Sequence, residues 1–388
     1  MGATTPGPGK VLHVIDSLAP GGAERSLTEL IPQLVGAGIR VDVVVLHDRG
    51  GLTDEVRKAG ASVFALEGGG RTAWVGQMAK LLRSRRPDLV HTTLFDADLI
   101  GRIAARWCGI PVVSSLVSTP YGPEHLGERG LRRSRVRAAQ LADIATSRVV
   151  RRFRAVSSAV RDSSIERLRL PPALVDVIPE GRDAARLGEP SAGRRAATRA
   201  RLGVSREPLV LAVARQDPPK GLDVLIRSAP AIREGFSGVQ ILFAGQEGRS
   251  SGELRALVTC LGLSDCVRFL GHRDDVADLL CAADVFVLPS RREGIPGAVQ
   301  EAMAMGTPIV ATDLGGVREA VGDPPLATLF PPDDARSLAA AVLNVLAEPG
   351  GARVQSSLAR GRFLAEFEIA SISQKILAFY CAGLTGAE

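Results

Sequence analysis

Short apolar runs recur along this chain, each followed by a stretch with helical spacing, and this alternation limits the fold more than any other feature. In the first half the runs are residues 11–15, 41–46, 62–66, 89–91 and 112–115. After the first of them, Leu27, Leu30, Ile31 and Leu34 recur at three- and four-residue spacing, one apolar stripe on a helix. Residues 52–59 read as a second helix. Strands of this kind separated by helices are joined by right-handed crossovers into a parallel sheet covered on both faces. The rhythm breaks at 182–208, where Gly188, Pro190, Ser191 and Gly193 precede a basic helical stretch, a composition suited to an interdomain connection. It restarts at 209–214 and continues through 239–244, 267–270, 285–289 and 308–311. Helices fit between these runs at 222–228, 253–261, 276–282 and 297–305. The expectation is α/β: two doubly wound Rossmann-like domains, 1–182 and 183–361, and a C-terminal helix, 362–388, that returns to the first.

A chain of 388 residues exceeds one ordinary core, which agrees with two domains. Aromatics are only 4%, so the cores are expected to be Leu, Val, Ala and Ile. The five cysteines, Cys108, Cys260, Cys266, Cys281 and Cys381, are scattered and form no C-x-x-C pair. They read as reduced thiols in a reducing cytosol, not as metal ligands or nucleophiles. Residues 1–10 lack the apolar centre of a secretory signal, and no apolar run is long enough to span a bilayer. The expected location is cytoplasmic, at most peripheral on the inner face of a membrane.

The net charge of +6 is modest but unevenly spread. Arg129, Arg132, Arg133, Arg135, Arg137, Arg148, Arg151, Arg152 and Arg154 crowd one stretch whose only acid is Asp143. Such a stretch suits anionic lipid or a phosphorylated acceptor, and a solvated helical face is the competing reading. No nucleic acid is expected as partner, because no recognised binding module is present and few aromatics could stack bases.

Ligands of open parallel sheets bind beyond the carboxyl ends of the strands, so the strand-to-helix loops are where chemistry is expected. The first carries Gly21 and Gly22, which let the backbone approach a bulky anionic group, or else merely form a tight turn. The dinucleotide pattern G-x-G-x-x-G is absent, although Asp48 mimics its acidic partner. The loop at 215–221 holds two cations, Arg215 and Lys220, a pairing suited to a diphosphate. At 290–301, Glu293 falls in a loop, Pro296 and Gly297 suit a helix start, and Glu301 lies in the first turns of that helix. A carboxylate so placed accepts hydrogen bonds from ribose hydroxyls, and Glu293 reaches hydroxyls of a sugar. Backbone N–H groups around Gly294, Gly297 and Ala298 would meet phosphates. Taken singly, Glu301 could instead be a helix-dipole partner and Glu293 a surface acid. Gly271 and His272, closing another strand, could bind a nucleobase edge, or His272 could be a plain polar loop residue.

Several segments together resemble the glycosyltransferase family 4 class of retaining enzymes, whose GT-B fold has two facing Rossmann-like domains. They are VARQDPPKGLDVL at 213–225, VRFLG at 267–271 and ADVFVLPSRREGIPGAVQEAMAMGTPIVATDLGGVRE at 283–319, with GGAE at 21–24 and VIPEG at 177–181. The E-x7-E spacing of Glu293 and Glu301 matches the family signature. The resemblance implies that Arg215 and Lys220 hold the donor diphosphate, Glu301 the ribose and Glu293 the donor sugar, while Gly21 and Gly22 approach the donor across the cleft. It also implies no cofactor and no metal, the nucleoside-diphosphate sugar itself being the donor. The expected reaction moves its sugar to a hydroxyl of a glycan, a lipid-linked or a small-molecule acceptor. A nucleotide-sugar epimerase and a non-catalytic nucleotide-sugar-binding relative are the rival readings. Two positions depart from the pattern. His91-Thr92-Thr93 stands where many members have H-x-H, which leaves Asp96, Tyr121 and His125 as candidates to assist the acceptor, and Glu180 replaces a common asparagine.

Overall fold

A computed structural model describes residues 7–119, 121–122 and 133–385; His125, Arg129 and Arg132 lie outside the described residues. The chain divides into two compact units, Met1–Arg182 with Ile369–Glu388, and Asp183–Glu368.

The first unit is built on a seven-stranded sheet. Its strands are β1 (Lys10–Ile15), β2 (Arg40–Val45), β3 (Ser62–Ala65), β4 (Leu89–Thr93), β5 (Val112–Leu116), β6 (Arg152–Ala155) and β7 (Val175–Val177). They run parallel in the order β3-β2-β1-β4-β5-β6-β7. The reversal of direction between β1 and β4 sends successive right-handed crossovers to opposite faces. Leu27, Leu30 and Ile31 of the helix Gly22–Gly36 share one core with Ile369, Ile372 and Ile376 of the final helix, Ile369–Thr385. The other face carries Arg71–Arg85, Phe95–Cys108 and Arg133–Ser147. Strands β6 and β7 escape an apolar-run search because RFRA and VDV are short and charged. Arg152 and Asp176 pair across them at 2.8 and 2.9 Å, and Arg154 is buried with its guanidinium on the carbonyls of Ile178 and Pro179.

The second unit repeats the plan with β8 (Leu209–Val213), β9 (Gln240–Ala244), β10 (Val267–Gly271), β11 (Val285–Leu288), β12 (Ile309–Thr312) and β13 (Thr328–Phe330). Their order is β10-β9-β8-β11-β12-β13, again parallel throughout. The doubly wound α/β expectation holds in both units.

The end of the chain differs from expectation. Residues 362–388 are not one returning helix: Pro349–Glu366 ends with Phe367 as its C-cap, and Ile369–Thr385 starts afresh. Arg362 stays with the second unit, bonded to the carbonyls of Ala320 and Glu319 at 3.0 Å each. Ile369 joins the first unit, where its N–H donates to Arg182 O at 3.0 Å. Helical spacing runs on either side of the break, so periodicity hides it. No helix among the described residues is long and apolar enough to cross a membrane.

Candidate functional site

In the second sheet the chain reverses direction between β8 and β11, which makes the loops after these two strands the expected ligand edge. They are locked together by backbone contact. Gly221 has φ 60°, and a Cβ there would lie 2.0 Å from Pro289 O, so only glycine fits this turn. Arg291 adds a strut: its N–H reaches Pro219 O at 2.8 Å, and its guanidinium reaches Pro218 O at 2.7 Å, both oxygens of Asp223 at 3.0 and 2.9 Å, and Asp333 at 2.6 Å. Gly294 is backed by Gly316, where a Cβ would fall 1.7 Å from Gly294 O.

Within this frame Lys220 Nζ donates to Glu293 Oε1 at 2.7 Å, and the buried Ser290 hydroxyl donates to the same oxygen at 2.7 Å. Arg215 is more exposed and rests on Asp217, which also accepts the Arg249 N–H at 3.0 Å. Burial alone would raise the Asp217 carboxyl, but the Arg249 N–H and the Arg215 guanidinium outweigh it and hold it below the usual range. Glu301 receives Arg186 Nη2 at 3.4 Å. Arg186 sits on the short helix Ala184–Leu187, whose start is pinned by Asp183 accepting from the N–H groups of Ala185 and Arg186 at 2.8 and 3.1 Å.

The helix Gly297–Ala304 has no side-chain cap, and Val299 and Gln300 return their N–H groups to Pro296 O at 3.0 and 3.3 Å. The N–H groups of Gly297 and Ala298 therefore lie outside the helical ladder. Gly271 and His272 stand apart from this cluster. They end β10 at the sheet edge, where Gly271 O accepts the Gly245 N–H at 2.8 Å and His272 faces Asp274 at 3.3 Å, largely exposed.

In the first unit the corresponding reversal lies between β1 and β4. Asp16, at the end of β1, accepts the Ala97 N–H at 2.9 Å and so caps the helix Phe95–Cys108 from another element. Leu94, just before that helix, has φ 79°, a strained conformation for a side-chain-bearing residue. Burial pushes the Asp16 carboxyl up to about 6, with repulsion from Asp96 adding to it and the Ala97 N–H opposing it. No motif marks Asp16; a lone acid closing an apolar strand was the only available signal.

Asp96 is held by Arg71 at 2.7 and 2.6 Å. Tyr121 is buried and donates to Asp143 Oδ2 at 3.0 Å, while Asp143 Oδ1 takes Arg102 at 2.7 Å. Burial, with Asp143 beside it, pushes the Tyr121 hydroxyl far up. His91 is a core residue, bonded to Tyr380 at 2.9 Å and Ser115 at 2.8 Å, and burial keeps it neutral. Glu180 is buried too: it accepts the Ser26 hydroxyl at 2.6 Å and has Arg182 at 3.8 Å, so its extra charge is met by partners. Gly21 has φ −164°, a backbone any residue adopts, and a Cβ there would meet the end of the Glu24 side chain, at 2.3 Å; nothing lies within 4 Å of a Cβ placed on Gly22. Neither glycine is demanded by the fold itself. Among the described residues no group of His, Cys, Asp and Glu could hold a metal ion.

Known proteins match most of this chain. A family model for Glycosyltransferase Family 4 matches residues 20–186, and one for Glycosyl transferases group 1 matches residues 207–348. A D-inositol 3-phosphate glycosyltransferase of Kineococcus radiotolerans is 31% identical, over 85% of this chain and 83% of its own. Glycogen synthase of Mycobacterium tuberculosis is 30% identical, over 78% and 71%. Among solved structures, Anabaena HepE in complex with UDP and glucose superposes with a TM-score of 0.83 at 25% identity, covering 95% of this chain and 98% of that one. Sucrose-phosphate synthase of Thermosynechococcus elongatus shares the fold, with a TM-score of 0.82 at 22% identity over 96% and 98%. The chain is therefore a glycosyltransferase with the GT-B fold. It belongs to glycosyltransferase family 4.

Proposed function

We propose that this enzyme transfers a sugar from a nucleoside diphosphate to an acceptor hydroxyl with retention of anomeric configuration and without a metal ion. The observation that carries the reading is the Lys220–Glu293 pair, held by Ser290 at the ligand edge of the second sheet. Lys220 supplies a positive charge beside a carboxylate suited to sugar hydroxyls, and Arg215 on the same loop supplies a second cation. In this reading the diphosphate draws Lys220 and Arg215, Glu293 orients the donor sugar, and Glu301 takes the ribose hydroxyls. The N–H groups of Gly297 and Ala298 meet the phosphates.

The acceptor oxygen bonds to the anomeric carbon on the face from which the diphosphate departs. The carbon–oxygen bond to the diphosphate breaks, and the acceptor proton passes to a departing phosphate oxygen. Charge develops on the diphosphate, so Arg215, Lys220 and the helix N-terminus stabilise the transition state more than the ground state. No protein nucleophile is required, which fits Glu293 being engaged in hydrogen bonds. In the first unit, Gly21 and Gly22 at the first helix and Asp96 are this reading's candidates for contacts with substrate. HepE, 26% identical over 95% of this chain, has been solved with UDP-glucose, which makes uridine diphosphate sugars the first donors to assay.

The test is a donor panel with glycan, lipid-linked and small-molecule acceptors, with chelator present and the product anomer read by NMR. Transfer that needs a divalent metal, or an inverted product, would overturn the mechanism. Conversion of the donor to an epimer without acceptor would replace it by the epimerase reading.

A further inference from the structure

We infer that the outer face formed by three helices of the first unit is a docking surface for an anionic lipid bilayer. The helix Phe95–Cys108 packs between Arg71–Arg85 and Arg133–Ser147, bonded to one through Cys108 Sγ and Ala79 O at 3.5 Å and to the other through Arg102 and Asp143 at 2.7 Å. These helices cover the side of the sheet opposite the final helix.

Charge on this face has one sign. Lys80, Arg83, Arg106, Arg133, Arg135 and Arg137 are all exposed, and no ion pair among the described residues engages them. The helix Arg71–Arg85 contains no acid. On the other two helices Asp98 and Asp143 are buried and turned inward to Arg102, and Asp96 is neutralised by Arg71. Of the crowded arginines, Arg133, Arg135 and Arg137 belong to this face, where the nearby Asp143 is used inside; Arg152 pairs with Asp176, Arg154 is buried, and Arg151 is bonded to the carbonyls of Gly383 and Leu384. The field ends at the next helix, Ser158–Leu168, whose Asp162 and Glu166 are exposed.

Cations alone would suit any polyanion. The same face also exposes Trp107 and Leu141, each 64% accessible, on the two adjacent helices. An indole and an isobutyl group held outward in a field of Arg and Lys match a headgroup layer with acyl chains beneath it. Trp favours that boundary, and each cation near an anionic leaflet adds attraction. The occupant is therefore a bilayer rich in anionic phospholipid, with the six cations at the phosphates and Trp107 and Leu141 seated shallowly between headgroups. This surface needs neither Glu293 nor Lys220, so it stands or falls separately from the donor site.

The experiment is co-sedimentation of the full chain with vesicles of phosphatidylcholine alone or mixed equally with phosphatidylglycerol, at about 50 and about 500 mM salt. Binding is expected on the mixed vesicles at low salt, with loss at high salt and little on the neutral ones. Arg133→Glu with Arg137→Glu, checked for an unchanged melting temperature, should weaken it by roughly 10²-fold or more. The chain has two tryptophans, Trp74 and Trp107, so a blue shift of emission on mixed vesicles should vanish in Trp107→Phe while sedimentation persists. No binding to mixed vesicles at low salt, or unchanged binding of the charge-reversed variant, overturns the proposal. Capture by soluble polyglutamate without vesicle binding also overturns it, in favour of an acidic protein partner.

Discussion

Lys220 and Glu293 lie 73 positions apart and meet at 2.7 Å, with the Ser290 hydroxyl on the same carboxylate oxygen. Without donor, each of the two charges is the other's partner. A diphosphate that draws Lys220 away leaves Glu293 on Ser290 alone, with acceptor capacity open to sugar hydroxyls. Lys220→Ala should lower kcat/KM by roughly 10²-fold or more, since its charge matters most as the diphosphate departs. Glu293→Gln should cost less, because an amide oxygen still accepts from Ser290 and from a hydroxyl. Wild-type-like turnover of Lys220→Ala in a donor assay would remove Lys220 from the site.

Arg186 holds Glu301 at 3.4 Å from a helix whose start is pinned by Asp183. If Glu301 takes the ribose, Arg186→Ala should raise KM for the donor several-fold with kcat little changed, and Arg186→Lys should recover part of it. Nucleotide titration of both variants beside Glu301→Gln checks this. Weakening by Glu301→Gln with none from Arg186→Ala limits the failure to Arg186.

Gly221 is a tight joint of the candidate site, with φ 60° and Pro289 O 2.0 Å from any added Cβ. Gly221→Ala should destabilise the second unit by about 2 kcal/mol or more, because strain and the clash act together. A thermal melt unchanged within a degree would mean that the two loops separate freely.

Asp16 provides a pH signature. Its carboxyl is raised to about 6 in the folded chain against 3.8 ordinarily, burial being the main cause. The folded state therefore binds the proton more tightly than the unfolded state. Stability from this group is complete below the ordinary value and is lost as pH rises through about 6. Asp16→Asn keeps an oxygen for the Ala97 N–H and removes the charge. It should gain up to about 3 kcal/mol over the parent at pH 7 and nothing near pH 3.5. Denaturant melts across that range read the difference, and a gain that does not vary with pH would place its origin elsewhere.

The alternation of apolar runs was enough to read five strands of each parallel sheet, because buried parallel strands need apolar side chains on both faces, while the short strands β6, β7 and β13 gave no such run. Position within that rhythm also led to Arg215, Lys220, Glu293 and Glu301, since the first three follow strands directly and Glu301 stands in the first turns of the next helix. What the chain alone determined, then, was the order of its elements and which loops could meet a ligand. The pairings were decided by tertiary structure. Asp217 beneath Arg215, Arg186 on Glu301, Asp223 and Asp333 on Arg291, and Asp143 behind Tyr121 join residues whose separation carries no periodic signal. With 48 basic and 42 acidic side chains, any one charge has many possible partners, and only the packed backbone chooses among them. The passage from one helix to the next at Phe367 was hidden for a related reason. Both sides keep helical spacing, and the break is set by what each helix packs against: Arg362 on Ala320 and Glu319, Ile369 on Arg182.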